Sequence, residues 1–227
     1  MNKLLELLFP PKCMLCRQLL GEEEEICGKC RKKILLNTAP PRAEKGAFFD
    51  KAAAGLWYEN DVRRAMHRLK YGEKQTYARP LARVMAYTFD HKLQEDVDVI
   101  TFVPTNRSTL RERGYNQAEL LARELSEMLN KPCLPMLEKT RETKPMHGLR
   151  PEARRANVLG AYRLCCGVSQ VSGKRILVAD DILTTGATLS ECSRMLKMAG
   201  ADKVFCICAA AARKTSENLE KYSEIDG

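Results

Sequence analysis

The sequence predicts an α/β protein in which a parallel sheet, flanked by helices, follows a small zinc-binding module. Two observations predict this arrangement. Four cysteines form two closely spaced pairs near the start of the chain, and strand and helix patterns alternate along its second half. A chain of 227 residues is long enough for one α/β domain with a small additional module, and it needs no disulfide bonds to fold.

The first element is the cysteine module. Its pairs are Cys13-x-x-Cys16 and Cys27-x-x-Cys30, with ten residues between them. Each C-x-x-C turn directs two thiolates at one point, and the spacer allows a short hairpin that brings the pairs together. Four thiolates in tetrahedral geometry form a structural Zn²⁺ site, which is closed to water and not catalytic. An iron centre uses the same ligands, and four unrelated free thiols are the remaining alternative.

Composition also indicates the compartment. Six of the ten cysteines are scattered through apolar segments, which is typical of a reducing environment. The longest apolar run, 204–212, is far shorter than the ~20 residues of a membrane-spanning helix, and the first residues lack a secretion signal. We therefore expect a cytoplasmic protein with no membrane span. The net charge of +9 suggests an anionic ligand or partner without identifying it.

The chain divides by composition into three regions. We predict a four-cysteine zinc-binding module at 1–45, a connecting strand and basic helix at 46–95, and the α/β domain at 96–227. The strand pattern of the connecting region covers 52–58. These boundaries follow changes in charge and in apolar periodicity, together with a break at Pro40-Pro41.

The connecting region also contains a basic helical pattern at 61–83. Tyr71 and Tyr77 are interleaved with its cations, and aromatic rings beside arginines can hold single-stranded DNA. A solvated helical face is the commoner explanation of such a pattern. The cations of this basic stripe are Arg63, Arg64, Arg68, Lys70, Lys74, Arg79 and Arg83.

Strand and helix patterns alternate in the third region. The predicted strands are 98–103, 175–180 and 204–209, each an apolar run with β-branched residues. A helix with 3.6-residue spacing begins at Asn116, where Glu119 completes a capping-box pattern. This alternation requires crossover connections, and therefore a parallel sheet that binds ligands at the carboxyl ends of its strands.

The most specific pattern follows the strand at 175–180. Asp180 and Asp181 end this strand, and the loop Thr184-Thr185-Gly186-Ala187-Thr188 opens the next helix. Carboxylates accept hydrogen bonds from vicinal sugar hydroxyls, and the unpaired N–H groups of a helix N-terminus bind phosphate, which Gly186 lets the backbone approach. The pattern predicts a site for ribose 5-phosphate, since helix capping accounts for only one or two of these residues. No P-loop or dinucleotide fingerprint occurs in the sequence.

The stretch VADDILTTGAT, 178–188, resembles the motif of type I phosphoribosyltransferases that binds 5-phosphoribosyl 1-pyrophosphate (PRPP). With the cysteine module in front, nearly the whole chain resembles the ComF family of competence proteins, in particular its ComFC-like members. Two further stretches, 110–117 and 141–160, match that family in the right order. The chain departs from the pattern at Met146, where many relatives have Gln, and at Ala179, where they have an apolar β-branched residue.

The resemblance implies a role for each matching residue of the motif. Asp180 and Asp181 would be the catalytic residues and would bind the ribose hydroxyls of PRPP. Thr184, Thr185, Gly186, Ala187 and Thr188 would bind its 5-phosphate. Mg²⁺ would enter with PRPP, held mainly by the substrate's own oxygens, and would neutralise the leaving pyrophosphate.

Further segments acquire implied roles in the same way. Thr105, Asn106 and Arg107 stand where the family's pyrophosphate loop lies, and Arg113 would add positive charge there. Residues 139–157 would form a mobile flap that closes over the site, although an ordinary charged loop has the same composition.

The resemblance implies a cytoplasmic protein that acts in natural transformation, where imported single-stranded DNA is handled together with a partner ATPase or helicase. Two function classes stay open. The protein is either an enzyme that transfers a phosphoribosyl group to an unidentified acceptor, or an adaptor that binds PRPP, DNA or the ATPase without turnover. Nothing in the sequence identifies the acceptor, nor the oligomeric state.

Overall fold

The computed structural model describes residues 12–21, 25–33, 36–42, 46–71, 74–143 and 150–213. A parallel sheet lies at its centre. Its strands are β1 (Lys51–Trp57), β2 (Val99–Phe102), β5 (Arg175–Leu183) and β6 (Lys203–Ala211), arranged in the order β1-β6-β5-β2. A separate antiparallel pair consists of β3 (Leu137–Lys139) and β4 (Tyr162–Leu164).

The two central strands are apolar on both faces, which explains why helices cover the sheet on either side. On β5, the residues from Ile176 to Ala179 have no exposed surface, and Ala179 lies between Ile207 of β6 and Phe102 of β2. A continuous apolar run of this kind is typical of a strand inside a parallel sheet. The predicted parallel sheet with flanking helices is confirmed.

β5 runs three residues further than its sequence pattern indicates. The prediction ended the strand at Asp180, but pairing continues, with Ile182 opposite Ala210 and Leu183 opposite Ala211. β6 is equally long, so its backbone offers partners for this extension. Asp180 and Asp181 therefore lie inside β5, two residues before its end, rather than at its last position.

The helices of the described residues are α1 (Gly28–Arg31), α2 (Asn60–Tyr71), α3 (Lys74–Thr88), α4 (Arg107–Arg113), α5 (Gln117–Leu129), α6 (Pro151–Val158) and α7 (Ala187–Met198). A π-helical turn, Phe89–Leu93, continues α3, and a 3₁₀ turn, Val168–Gln170, precedes β5. Within the ranges that the structure describes, no helix is long and apolar enough to cross a membrane.

The start of α5 matches the prediction in part. Asn116 caps the helix, and its side-chain oxygen accepts a hydrogen bond from the backbone N–H of Ala118 at 3.1 Å. Glu119 does not complete a capping box with it, because its carboxylate binds Arg123 one turn further on, at 2.7 Å. Glu119 therefore forms an i,i+4 ion pair instead of the hydrogen bond to the backbone that the capping-box pattern predicted.

The predicted basic helix is wrong as a single element, because 61–83 folds as parts of two helices, α2 and α3. The connecting region also supplies β1, which pairs in parallel with β6 and forms one edge of the main sheet. The boundaries at residues 45 and 95 stay predictions. The strand at this edge nevertheless shows that the connecting region and the α/β domain share one hydrophobic core.

Candidate functional site

The two aspartates stand near the carboxyl end of β5, where the ligands of parallel sheets bind. Oδ1 of Asp180 accepts a hydrogen bond from the backbone N–H of Asp181 at 2.8 Å. Oδ2 of Asp181 lies 3.3 Å from Nζ of Lys70, the one lysine of α2, and this ion pair is mostly shielded from solvent. The sequence analysis did not assign Lys70 to the site.

The surroundings of Asp180 and of Lys70 shift the pKa of each group. Burial, and then the neighbouring charge of Asp181, raise the pKa of Asp180 well above the ordinary range of a carboxyl group. The charge of Asp181 raises the pKa of Lys70 against the opposing effect of burial. The lysine thus offsets part of the repulsion between two adjacent carboxylates, and Asp180 holds its proton to a higher pH than an exposed aspartate does.

The loop after β5 forms the second part of the site. Thr184, Thr185, Gly186, Ala187 and Thr188 line one cleft together with Asp180. Arg154 of α6 lines the same cleft and brings a positive charge to it. The structure therefore brings the strand end and the predicted phosphate loop together.

Gly186 is the N-cap of α7, and its φ of +75° lies in the left-handed region that favours glycine. A Cβ atom at this position would lie 3.4 Å from the ring of Phe49, an ordinary van der Waals contact, so the backbone conformation rather than space favours glycine here. Arg42 anchors the loop, because its guanidinium donates a hydrogen bond to the carbonyl oxygen of Thr184 at 2.9 Å. Sequence reasoning missed Arg42, and its position before the first strand gave no signal.

The predicted pyrophosphate residues lie beside a second cavity. Asn106 and Arg107, at the start of α4, line it together with Lys139 and Arg141 at the base of the predicted flap. The side-chain oxygen of Asn106 is engaged as the helix cap and accepts from the N–H of Thr109 at 2.8 Å. Thr105 precedes this cap and is partly buried.

Arg113 lies at the other end of α4, about 9 Å along the helix axis from Arg107. Arg113 therefore lies away from Thr105, Asn106 and Arg107, where it was expected to add positive charge. The role of Arg113 in PRPP binding stays a prediction, as do the roles of the other site residues.

Lys139 and Tyr162, on the paired strands β3 and β4, stand beside the site. Nζ of Lys139 lies 5.8 Å from the ring centre of Tyr162 and donates to the hydroxyl of Thr143 at 2.8 Å. Burial lowers the pKa of Lys139, and burial raises the pKa of the Tyr162 hydroxyl, which interacts with Thr188 of the phosphate loop. Neither residue was singled out from the sequence.

The segment between β3 and β4 contains the predicted flap, and its described ends are fastened. Arg141 donates to the carbonyl oxygens of Asn157 at 3.0 Å and of Leu159 at 2.9 Å, which joins the two ends. The N–H of Gly160 donates to Glu191 of α7 at 2.8 Å. The central part of this segment, 144–149, lies outside the described residues and includes Met146.

The four cysteines of the first module meet at one point. All four sulfurs lie within 4.8 Å of one another, and the sulfurs of Cys16 and Cys27 are 3.7 Å apart. A Zn²⁺ ion with Zn–S bonds of ~2.3 Å needs sulfurs about 3.8 Å apart. Burial raises the pKa of Cys13, but hydrogen bonds from the backbone of Cys16, Cys27 and Leu15 lower it to about 7, which favours the thiolate. The donor set fits a structural zinc ion held by Cys13, Cys16, Cys27 and Cys30.

The metal-binding loop is packed into the protein rather than standing apart from it. Met14 and Leu15, between the first two cysteines, are 1% and 3% exposed and belong to the main hydrophobic core. Nη2 of Arg68 donates to the carbonyl oxygens of Met14 at 2.6 Å and of Leu15 at 2.8 Å. The module and α2 are therefore in direct contact.

The basic stripe is not a continuous cationic surface. Tyr77 is 1% exposed, so its ring cannot stack on a base, and the guanidinium of Arg68 covers it at 5.3 Å. Lys70 points to Asp181. The exposed arginines of the stripe include Arg64, Arg79 and Arg83, which form ion pairs with Asp61, Glu124 and Glu25 respectively. The side chains of Tyr71 and Lys74 lie outside the described part of the chain.

Comparisons with known proteins agree with this architecture. Residues 4–45 match the family model of the double zinc ribbon domain, and residues 110–226 match that of the phosphoribosyl transferase domain. The chain is 28% identical over 200 residues to competence protein F of Haemophilus influenzae, covering 86% of this chain and 82% of that protein. It is 26% identical over 207 residues to the DNA utilization protein YhgH of Escherichia coli strain K12, covering 86% and 89%.

Solved structures with similar folds include adenine phosphoribosyltransferase from Thermoanaerobacter pseudethanolicus, with a TM-score of 0.37 and 15% identity over 77% of this chain and 85% of that one. Another is the glutamine PRPP amidotransferase from B. subtilis, with a TM-score of 0.41 and 19% identity, of which this chain covers 30%. The matches to domain models and relatives along the sequence confirm the resemblance to the ComF family, and the chain belongs to the phosphoribosyl transferase domain family, preceded by a double zinc ribbon.

Proposed function

We propose that this protein binds PRPP together with Mg²⁺ at the end of β5, and that it does so in the cytoplasm as part of DNA uptake or utilization. The single observation that carries the proposal is the cleft that Asp180, the loop 184–188 and Arg154 line together. The relatives named for competence and DNA utilization support the cellular role.

The ribose of PRPP would be held by carboxylates. Asp181 is ion-paired through Oδ2 with Lys70, which leaves Oδ1 to accept a hydrogen bond from a ribose hydroxyl. Asp180 has a raised pKa, so near neutral pH its carboxyl group carries a proton more readily than an exposed aspartate. Two adjacent carboxyl groups match two vicinal hydroxyls, each of which donates and accepts.

The 5-phosphate would be held by the loop that opens α7. This helix has 12 residues, and the N–H groups of its first turn, together with its positive dipole end, favour an anion. The hydroxyl of Thr185 accepts weakly from the N–H of Ala187 at 3.4 Å, a contact that a phosphate oxygen can replace. Arg154, which lines the same cleft, would add a positive charge.

The pyrophosphate would extend toward the second cavity, where Arg107 and Lys139 supply positive charge. Mg²⁺ would neutralise the leaving pyrophosphate as the bond at the anomeric carbon breaks. Closure of the segment between β3 and β4 would exclude water from the oxocarbenium-like centre. Lys139 is partly buried beside this cavity, and burial lowers its pKa.

Isothermal titration calorimetry with PRPP and Mg²⁺ tests the binding proposal. Asp181→Asn should weaken binding about 10- to 150-fold, because a hydrogen bond to a charged group contributes roughly 1.5–3 kcal/mol. The matched control is Asp202→Asn, since Asp202 is exposed and lies at the other end of the sheet, before β6. Equal affinities for wild type and Asp181→Asn would contradict the site assignment.

A second assay separates an enzyme from an adaptor. Pyrophosphate release from PRPP, measured with candidate acceptors, should occur if the protein is a phosphoribosyltransferase and should be lost in Asp181→Asn. Tight PRPP binding without pyrophosphate release from any acceptor would instead support an adaptor that uses PRPP as a ligand.

A further inference from the structure

Helix α2 touches both functional parts of the protein within three consecutive residues. Arg68 donates to the loop between Cys13 and Cys16, and Lys70 pairs with Asp181. Between them, the carbonyl oxygen of Leu69 accepts a hydrogen bond from the hydroxyl of Tyr115. The metal-binding loop and the ribose carboxylates are therefore joined through one short stretch of helix.

The contact with the metal module depends on the shape of the chelating loop. Met14 and Leu15 lie between two of the four cysteines, so their carbonyl directions are set by the turn that brings Cys13 and Cys16 to one point. Both carbonyls accept from the same guanidinium nitrogen, at 2.6 and 2.8 Å. A loop that lost its metal would not keep both oxygens aimed at Arg68.

The contact with the ribose site depends on the end of the helix. Lys70 is in the last turn of α2, which ends at Tyr71, and final helix turns fray unless other contacts hold them. The contacts of Arg68 and of the Leu69 carbonyl restrain the helix next to Lys70. They fix the direction from which the ammonium group reaches Asp181.

We propose that Arg68 is a positioning residue that couples metal binding in the cysteine module to the ribose site, by fixing the helix end from which Lys70 holds Asp181. The metal-loaded module then favours the arrangement in which Asp181 is oriented and its charge is offset. Without the metal, Lys70 leaves Asp181, and the two carboxylates repel each other and the phosphates of the ligand. The effect on PRPP rests on the proposed function; the effect on Lys70 does not.

The first test follows Lys70 itself and needs no PRPP. Amine acylation of the metal-loaded protein, quantified for each lysine by mass spectrometry, should be slow at Lys70 because its ammonium group is paired and mostly buried. Removal of zinc with a chelator, or Arg68→Ala, should accelerate labelling of Lys70 several-fold. Asp181→Asn should do the same by removing the partner of Lys70.

Arg64→Ala is the matched control, because Arg64 is on the same helix but pairs only locally with Asp61 at an exposed position. It should leave Lys70 labelling unchanged. Circular dichroism checks that each protein retains its fold. Should Arg68→Ala fail to fold, Arg68→Lys serves instead, since it keeps the positive charge but not the geometry of the guanidinium contact.

The second test measures PRPP affinity by calorimetry. Allosteric coupling of ordinary size amounts to roughly 5- to 150-fold, so we expect Arg68→Ala and zinc removal each to weaken binding about tenfold. Because both act through the same link, zinc removal from Arg68→Ala should add little further loss. Additive losses would assign the effect of zinc to a route other than Arg68.

The two tests distinguish failure of the proposed function from failure of the proposed coupling. If wild type does not bind PRPP, the proposed function fails while Lys70 labelling still reports the coupling. If folded, zinc-free protein and folded Arg68 variants all label Lys70 at the wild-type rate, the coupling is overturned whatever the affinity for PRPP.

Discussion

Loss of the metal from the cysteine module should destabilise the whole protein and not the module alone. Cys27→Ser removes one of four zinc ligands, and a structural zinc site contributes directly to folding. Met14 and Leu15 are almost fully buried in the main core and depend on the shape of the chelating loop. Full burial of such a side chain contributes about 1.5–3 kcal/mol.

Exposure of both side chains would therefore lower the free energy of unfolding by roughly 3–6 kcal/mol, as an upper estimate that neglects residual structure in the unfolded chain. In a protein of this length, 1 kcal/mol shifts the melting temperature by about 2–4 °C, so we expect a decrease of about 6–24 °C. Urea denaturation and calorimetry measure this change, and elemental analysis should find about one zinc per wild-type chain.

Cys165→Ser provides the control, because Cys165 is exposed and lies outside the metal cluster. It should change neither the zinc content nor the melting temperature. A separate early transition in Cys27→Ser, with the main transition unmoved, would refute the reasoning, since it would mean that the module unfolds without disturbing the core. Wild-type protein purified under reducing conditions without any metal would refute the zinc site itself.

Two further predictions concern charge. Asp180→Asn should stabilise the ligand-free protein at neutral and alkaline pH by about 0.5–2 kcal/mol. The raised pKa of Asp180 means that its contribution to stability is complete below the ordinary aspartate range and is lost as the pH rises through the raised pKa, so urea titrations of wild type and variant should converge at acidic pH. For single-stranded DNA, reversal of the exposed Arg63 and Arg79 to Glu should lower affinity most strongly at low salt, whereas Tyr77→Phe should have no effect because the ring is buried. Fluorescence anisotropy at two salt concentrations measures DNA binding by both of these variants. A loss of affinity in Tyr77→Phe would contradict the buried position of that ring.

Periodicity and local chemistry predict those parts of the protein whose causes are local. The strands that hold the core and the cap at Asn116 follow from neighbouring residues, and the four cysteines converge because each pair is a tight turn. The aspartates and the loop 184–188 are likewise neighbours in the chain, so a single motif identifies them. Local patterns fail where one side chain has two possible partners, as with Glu119, which binds Arg123 instead of closing the cap.

Contacts between distant segments left no such signal. Arg68 lies 54 residues from Met14, and Lys70 is still more remote in sequence from Asp181, so neither pairing has a spacing that could be recognised. A row of cations at helical spacing looks the same whether its members face water, a metal-binding loop or a carboxylate. Only the packing of α2 between the module and the sheet decides among these, and it assigns both residues to internal contacts.

The packing of the chain also affects how the net charge of +9 is interpreted, because several of the cations lie at the candidate site. Lys70 stands beside Asp181, Arg154 lines the cleft with the loop 184–188, and Arg107 with Lys139 lines the second cavity. Cations therefore line two clefts, and under the proposed function this would suit a ligand with phosphate groups at both ends. Arg79, by contrast, is exposed and only weakly paired with Glu124 at 3.8 Å, so a nucleic acid can displace that partner at little cost. A strand bound there would approach α3, and it would compete with PRPP only if it also reached the cavity at Arg107.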